Sequence, residues 1–181
     1  MFHTDSSFHD LPTKWSMLLA HELPPEGGDT EFADTRSAYE RLPDAVRDQI
    51  DGLRVRHSLT YSRARGGMKD NGTFERAFPE VTHPLVRTSE SGRKALYIGG
   101  HARAIVGMDE DEGRALLSSL VEEATREEHI YSHRWLPGDM VIWDNRCTLH
   151  RATTFDYARH RRDLRRATIN EFGEERMGSR S

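Results

Sequence analysis

The sequence contains one cysteine and no long apolar run. Cys147 stands alone among 181 residues, which excludes an intrachain disulfide and fits a reducing compartment. No segment approaches the ~20 apolar residues that a membrane-spanning helix needs. The N-terminus also lacks the basic and then apolar regions of a signal peptide. These absences predict a cytoplasmic protein that has no membrane partner.

An excess of positive charge is also missing. The chain has 26 Lys and Arg against 30 Asp and Glu, a formal net charge of -4. This balance offers no general attraction to nucleic acid. Binding of nucleic acid through the basic stretch at residues 161–166 is one alternative, but no aromatic residues are interleaved there to stack on bases. We therefore expect no nucleic-acid partner.

Short strands dominate the predicted secondary structure. They are predicted over residues 14–23, 54–60, 84–88, 94–100, 130–136, 139–145 and 165–170. Two short helices broken at Pro43 are predicted over residues 35–53. Asp109 is predicted to cap a longer helix, with Glu112 at the capping-box spacing.

Residues 62–80 are polar and glycine-rich, and they predict a long loop of the kind that often forms a lid or binding loop. Strands outnumber helices, and the predicted elements do not alternate between strand and helix as in βαβ units. The pattern therefore predicts a mostly β fold with added helices, as an antiparallel sandwich or jelly roll.

A His-X-Asp triplet near the N-terminus is a candidate metal site. Side chains two residues apart on an extended segment point to the same side, so His3 and Asp5 can face one ion. A mononuclear iron site needs a second histidine, and the best candidate is His150, which follows an apolar strand. Because the chain has ten histidines, a surface turn for the pair and a capping or core role for His150 are the alternatives.

The segment "RRDLRR" at residues 161–166 offers a candidate anion site. If it is a strand, Arg162, Leu164 and Arg166 share one face. Two guanidinium groups that face an interior need anionic partners, and two separate carboxylates would supply them. A solvated basic edge strand is the alternative. The continuation "ATIN" favours a strand that enters the core.

Taken together, the motifs "HTDSSF", "GGDTEFAD", "WLPGDMVIWDNRCTLHRAT" and "RRDLRRATIN" resemble the taurine / 2,4-dichlorophenoxyacetate dioxygenase family of Fe(II)- and 2-oxoglutarate-dependent enzymes. The motifs "HTDSSF" and "SGRKALYIGGHA" are more similar to its 2,4-dichlorophenoxyacetate, or aryloxyalkanoate, branch. The resemblance implies a double-stranded β-helix, a form of jelly roll, within one catalytic domain over residues 1–181.

The resemblance also implies a ligand set and a reaction. The implied iron ligands are His3, Asp5 and His150. The implied reaction consumes O2, decarboxylates 2-oxoglutarate to succinate and CO2, and hydroxylates a substrate. Related halogenases lack the carboxylate ligand so that chloride can bind; the presence of Asp5 therefore favours hydroxylation.

Further residues are assigned by the same resemblance. Thr30 and Arg162 are implied to bind the distal carboxylate of 2-oxoglutarate. Arg166 is implied to hold the acidic group of a small anionic substrate, an aryloxyalkanoate-like carboxylate or a sulfonate. His101 is implied to line the substrate pocket.

Departures from the family pattern set further expectations. Family members carry a long N-terminal region before the His-X-Asp motif, so we expect a fold that is incomplete at its N-terminus. The alternative function is an inactive jelly-roll protein that binds a metal or a small acid without turnover. The segment "RTSESG" lacks a histidine of the dichlorophenoxyacetate enzymes, which argues against that herbicide as substrate. Family members often form dimers or higher assemblies, so a homo-oligomer is one alternative.

Overall fold

The structure, a computed structural model, describes residues 1–69 and 72–171 and is mostly β with added helices, as predicted. The strands are β1 (Thr13–Glu22), β2 (Thr30–Asp34), β3 (Arg54–His57), β4 (Val81–Pro84), β5 (Val86–Thr88), β6 (Lys94–Leu96), β7 (Ala102–Ile105), β8 (Ile130–His133), β9 (Met140–Asp144), β10 (Thr148–Ala152) and β11 (Asp163–Asn170). The helices are α1 (Thr35–Arg41), α2 (Asp44–Ile50), α3 (Leu59–Arg65), α4 (Thr73–Ala77) and α5 (Glu110–Ala124), with a 3-10 turn at Glu127–His129. None of the helices in this part of the chain is both long and apolar enough to cross a membrane.

Two three-stranded sheets position the candidate site. One has the strand order β11-β1-β9 and the other β10-β2-β8. The remaining strands form the sheets β4-β3-β7 and β5-β6. Every strand pair within residues 1–69 and 72–171 is antiparallel, so the predicted absence of βαβ units is confirmed.

Strand β1 confirms the strand predicted over residues 14–23, and its side chains alternate between two faces. Ser16 and Ala20 lie on its buried face, whereas Leu19 on the other face is exposed. Antiparallel partners share a face, and Met140 pairs with Leu19. The outer face of this sheet is therefore apolar but open to solvent, and the inner face carries the buried polar Ser16.

Helix α5 packs into the apolar core cluster. The Asp109 side chain accepts hydrogen bonds from the backbone N–H groups of Asp111 and Glu112, which confirms the predicted N-cap. Leu117 and Leu120 are buried in the cluster. Burial of each such leucine contributes roughly 1.5–3 kcal/mol. This packing holds α5 against β7 and α1.

The predicted long loop at residues 62–80 is wrong in part. Helix α3 occupies its start and α4 its second half, while residues 70 and 71 lie outside the described residues. The strand predicted over residues 54–60 ends at His57, because the Ser58 hydroxyl accepts a hydrogen bond from the Tyr61 N–H and caps α3. The two helices predicted around Pro43 are confirmed. The strands predicted over residues 84–88 and 94–100 are also present, and they pair as β5 and β6.

Candidate metal centre

The backbone brings two histidines side by side. His3 lies outside the main sheets but forms an isolated antiparallel bridge to His150 on β10. The His3 N–H donates to the His150 carbonyl at 3.0 Å, and the His150 N–H donates to the His3 carbonyl at 2.8 Å. The two imidazole centroids are 4.3 Å apart. This bridge fixes the N-terminal segment on the sheet.

Asp5 completes a three-residue cluster. One ligand atom from each of His3, Asp5 and His150 lies within 4.8 Å of the others. The Nε2 atoms of both histidines are 3.7 Å from Asp5 Oδ1. Asp5 and His150 are buried, and His3 is about one-third exposed. Two imidazoles and one carboxylate on one face suit a divalent transition metal such as iron.

Burial controls the charge of the two imidazoles. It lowers the pKa of His150 to about 3, with a further lowering from the neighbouring His3. Burial also lowers the pKa of His3, against the opposing effect of the Asp5 charge. Both rings are therefore neutral near pH 7, which is the form that binds a metal through a nitrogen lone pair.

Thr30 and Arg162 meet beside this cluster. Arg162 Nη2 lies 3.3 Å from Thr30 Oγ1, and Arg162 Nε donates to the Gly28 carbonyl at 2.8 Å. Trp135 Nε1 also donates to Thr30 Oγ1, at 3.0 Å. Gly28 has a φ of +72°, and a Cβ there would lie 3.1 Å from Arg162 Cδ. A larger residue at this position would displace the guanidinium.

Arg162 is half-buried without a direct ion pair among the described residues. Burial lowers its pKa, against the opposing effect of the Asp29 charge. In residues 1–69 and 72–171, no carboxylate forms an ion pair with it, although Arg87, Arg146 and other arginines are paired. The Thr30 hydroxyl accepts two hydrogen bonds, and no acceptor for its own hydrogen occurs in the same part of the chain. A half-buried cation and a free hydroxyl donor favour an anionic ligand between them.

Arg166 lies at the other side of the cluster. It pairs with Leu18 across β1 and β11, and its Nη1 is 3.4 Å from Asp5 Oδ1. The side chain is 59% exposed, so its charge is open to solvent rather than buried in the core. Leu164 and Arg166 pair with Ala20 and Leu18 on one face of the strand, whereas Arg162 precedes β11 and is more buried than Arg166.

His101 lies at the rim of the site. Its ring centroid is 6.0 Å from that of His3 and 4.9 Å from that of Phe8. Its Nδ1 is 2.8 Å from the Ser62 hydroxyl on α3. Burial lowers the His101 pKa to about 4, so the ring is neutral near pH 7 and offers a polar but uncharged wall.

Two polar residues of the site, Ser16 and Asn145, were not predicted from the sequence. Ser16 Oγ donates to Asp5 Oδ2 at 2.6 Å, and Asn145 Nδ2 donates to Ser16 Oγ at 2.8 Å. Asn145 is 129 residues from Ser16 in the chain, so no local pattern joins them. The motif "WDN" indicates that Asn145 lies in a turn, but it does not indicate which residue Asn145 contacts.

The structure is a mostly β protein in which two histidines and one carboxylate cluster beside a half-buried arginine and a threonine hydroxyl. The family model described as "Taurine catabolism dioxygenase TauD, TfdA family" matches residues 1–168. The chain belongs to this family.

Known proteins support the same assignment. The chain is 49% identical, over 170 residues, to an alpha-ketoglutarate-dependent 2,4-dichlorophenoxyacetate dioxygenase of Cupriavidus pinatubonensis; the match covers 93% of this chain and 59% of the relative. It is 39% identical to an (S)-phenoxypropionate/alpha-ketoglutarate-dioxygenase of Sphingobium herbicidovorans, covering 88% of this chain and 58% of that protein. The predicted aryloxyalkanoate branch is confirmed.

A solved structure is similar over the same region. The crystal structure of AAD-2 in complex with Mn(II) and N-oxalylglycine superposes with a TM-score of 0.90 at 44% identity, covering 94% of this chain and 68% of that chain. The present chain thus spans 59% of the length of the first curated relative and about two-thirds of this structure.

Proposed function

We propose that the chain carries the catalytic centre of an Fe(II)- and 2-oxoglutarate-dependent dioxygenase on a double-stranded β-helix, or jelly roll. The convergence of His3, Asp5 and His150, with ligand atoms within 4.8 Å of one another, is the observation that carries the proposal. These three residues would hold the iron. Bound iron and 2-oxoglutarate supply oxidising chemistry with O2, giving succinate, CO2 and a hydroxylated substrate.

The spacing along β2 supports 2-oxoglutarate as the ligand of the anion site. Phe32 pairs with His150, and Thr30 lies two residues before Phe32 on the same face. Two residues of a strand span about 7 Å, which suits a five-carbon dicarboxylate with one end at the metal. Arg162 would bind the distal carboxylate through its guanidinium, and Thr30 would donate its free hydroxyl hydrogen.

The exposed charge beside the candidate metal cluster supports a small anionic substrate. Arg166 is exposed, and its guanidinium lies beside the carboxylate that would hold the metal. An arginine there would bind a carboxylate or sulfonate and hold the attached carbon near the reacting position, and such positioning lowers the barrier. The aryloxyalkanoate substrates named for two relatives are of this chemical class.

Release of succinate tests the proposal. The protein is incubated with Fe(II), 2-oxoglutarate and O2, with and without phenoxyacetate or an alkylsulfonate. Succinate formation that rises with a substrate is expected, and His150→Ala should abolish it. Binding of 2-oxoglutarate without succinate from the folded protein would contradict turnover and support the non-catalytic alternative.

A further inference from the structure

The two oxygens of the Asp5 carboxylate have different surroundings. Oδ2 accepts the hydrogen bond from Ser16 Oγ at 2.6 Å. Oδ1 has no contact as short: the exposed Arg166 Nη1 is 3.4 Å away, and the Nε2 atoms of His3 and His150 are each 3.7 Å away. Oδ2 is therefore held by a short, buried hydrogen bond, and Oδ1 is the oxygen that lies beside the two candidate metal-binding nitrogens.

Asn145 determines the direction of this hydrogen bond. Its Oδ1 accepts from the Asp5 N–H at 3.0 Å and from Trp143 Nε1 at 3.1 Å. Both of these groups are donors only, so the Asn145 amide has one favourable orientation. Its Nδ2 must then donate to Ser16 Oγ, at 2.8 Å. The Ser16 hydroxyl hydrogen is left to donate to Asp5 Oδ2.

Burial makes this chain of hydrogen bonds specific. Ser16 is 0% exposed and Asn145 is 1% exposed, so water does not compete for the donors. Buried hydrogen bonds that are fully satisfied polarise one another and hold one geometry. This series of hydrogen bonds joins β1 to the turn between β9 and β10. It ends on an oxygen of Asp5, a candidate metal ligand, rather than on another core group.

We propose that Ser16 and Asn145 are positioning residues that make Asp5 a one-oxygen ligand. The inference rests on the proposed function of the same site. Ser16 occupies Oδ2 and leaves Oδ1 for the metal, so the protein contributes three ligand atoms in all. Asn145 holds both the Asp5 backbone and the Ser16 hydroxyl, and thereby sets where Oδ1 points. Groups of this kind orient metal ligands.

Binding of Mn(II) and Co(II) tests the role of Ser16. Titration calorimetry with Mn(II) should give a Kd about 10–100-fold weaker for Ser16→Ala than for the unchanged protein. The visible spectrum of the Co(II)-loaded variant should also change, because Asp5 is then free to bind through both oxygens. Thr13→Val is the matched control: Thr13 is 2% exposed on the same strand, and its hydroxyl donates to Asn170 rather than to Asp5.

The outcomes separate the two proposals. Ser16→Cys keeps the volume with a weaker donor and should give an intermediate Kd, which provides the measurement if Ser16→Ala does not fold. An unchanged Kd and Co(II) spectrum in either Ser16 variant would overturn the positioning role alone. An equal loss of affinity in Thr13→Val would assign the effect to general destabilisation and also overturn it. Failure of the unchanged, folded protein to bind either metal would overturn both the positioning role and the proposed function.

Discussion

At the scale of single residues, Arg162 is a half-buried arginine that forms no direct ion pair within residues 1–69 and 72–171, although the Asp29 charge acts on it. It is half-buried and hydrogen-bonded to Gly28 and Thr30. The adjacent Arg161 is largely exposed and lies 3.7 Å from Glu22. Burial of a charge without a direct ion pair costs stability unless a bound anion offsets that cost. Substitution of Arg162 should therefore change ligand affinity, whereas substitution of Arg161 should not.

Arg162→Gln should weaken binding of 2-oxoglutarate. Loss of a charge-assisted hydrogen bond of about 1.5–3 kcal/mol corresponds to a Kd about 10–100-fold higher. Isothermal titration with Mn(II) present gives this Kd, and Arg161→Gln is the control that should leave it unchanged. Equal affinity in the Arg162 variant and the unchanged protein would remove the residue from the anion site.

A second residue-scale prediction concerns His57. It is fully buried, its Nδ1 lies 3.0 Å from the Ser7 hydroxyl, and burial lowers its pKa to about 3. Below pH 6.5 the unfolded chain binds a proton here and the folded protein does not. Stability therefore falls as the pH falls from 6.5 towards 3, by up to about 1.4 kcal/mol per pH unit for each such histidine.

Urea unfolding at pH 7 and pH 5 checks this dependence. His57→Gln should lose less stability between the two pH values than the unchanged protein, even if it is less stable at pH 7. His160→Gln, at an exposed position, should keep the original slope. The same loss on acidification in the His57 variant and the unchanged protein would contradict a buried neutral imidazole.

Single residues also define what the sequence could predict about the site. Short motifs with a two- or four-residue spacing contain His3, Asp5, Arg162 and Arg166, and these local patterns allowed the residues to be predicted. The roles of Ser16 and Asn145 could not be predicted, since their contact depends on how β1 packs against the β9–β10 turn. A buried polar residue on a strand carries no local signal for its partner.

At the scale of secondary structure, elements with local signals were predicted and those that depend on pairing were missed. Helix α5 has an N-cap at Asp109 that is recognisable from the sequence, and the helix was predicted from it. Strands β2 and β10 are short and contain charged residues. Their strand conformation depends on pairing with each other and with β8, which the chain order alone does not reveal.

The N-cap of α5 gives a prediction at this scale. Asp109→Ala should lower stability, because the N–H groups of Asp111 and Glu112 lose their acceptor. Thermal unfolding followed by circular dichroism measures the effect. Glu122→Ala, an exposed change near the other end of the helix, should leave Tm the same or slightly higher. A Tm unaffected by the Asp109 substitution would show that packing alone holds the helix.

At the scale of the whole molecule, the outer face of the β11-β1-β9 sheet is apolar and exposed. Met140 is 63% exposed, Ile142 53% and Ile169 44%. The register places all three on the same face as Leu19. Contiguous apolar surface of this kind binds apolar probes and favours association.

Fluorescence of a dye such as anilinonaphthalene sulfonate measures this surface. The folded protein should bind the dye, and Ile142→Lys should reduce the signal because it places a charge at the centre of the face. Leu11→Lys, at an exposed apolar residue outside the strands, is the control and should have little effect. Absence of dye binding by the folded protein would mean that the face is covered in solution.

The central claim is that His3, Asp5 and His150 hold Fe(II) beside an anion site that binds 2-oxoglutarate. Visible absorption under strictly anaerobic conditions tests it most directly. Addition of Fe(II) and 2-oxoglutarate to the folded protein should produce a weak metal-to-ligand charge-transfer band. The band should be absent in His150→Ala and should need more 2-oxoglutarate in Arg162→Gln. Folded, unchanged protein that gives no band at saturating 2-oxoglutarate would contradict the claim.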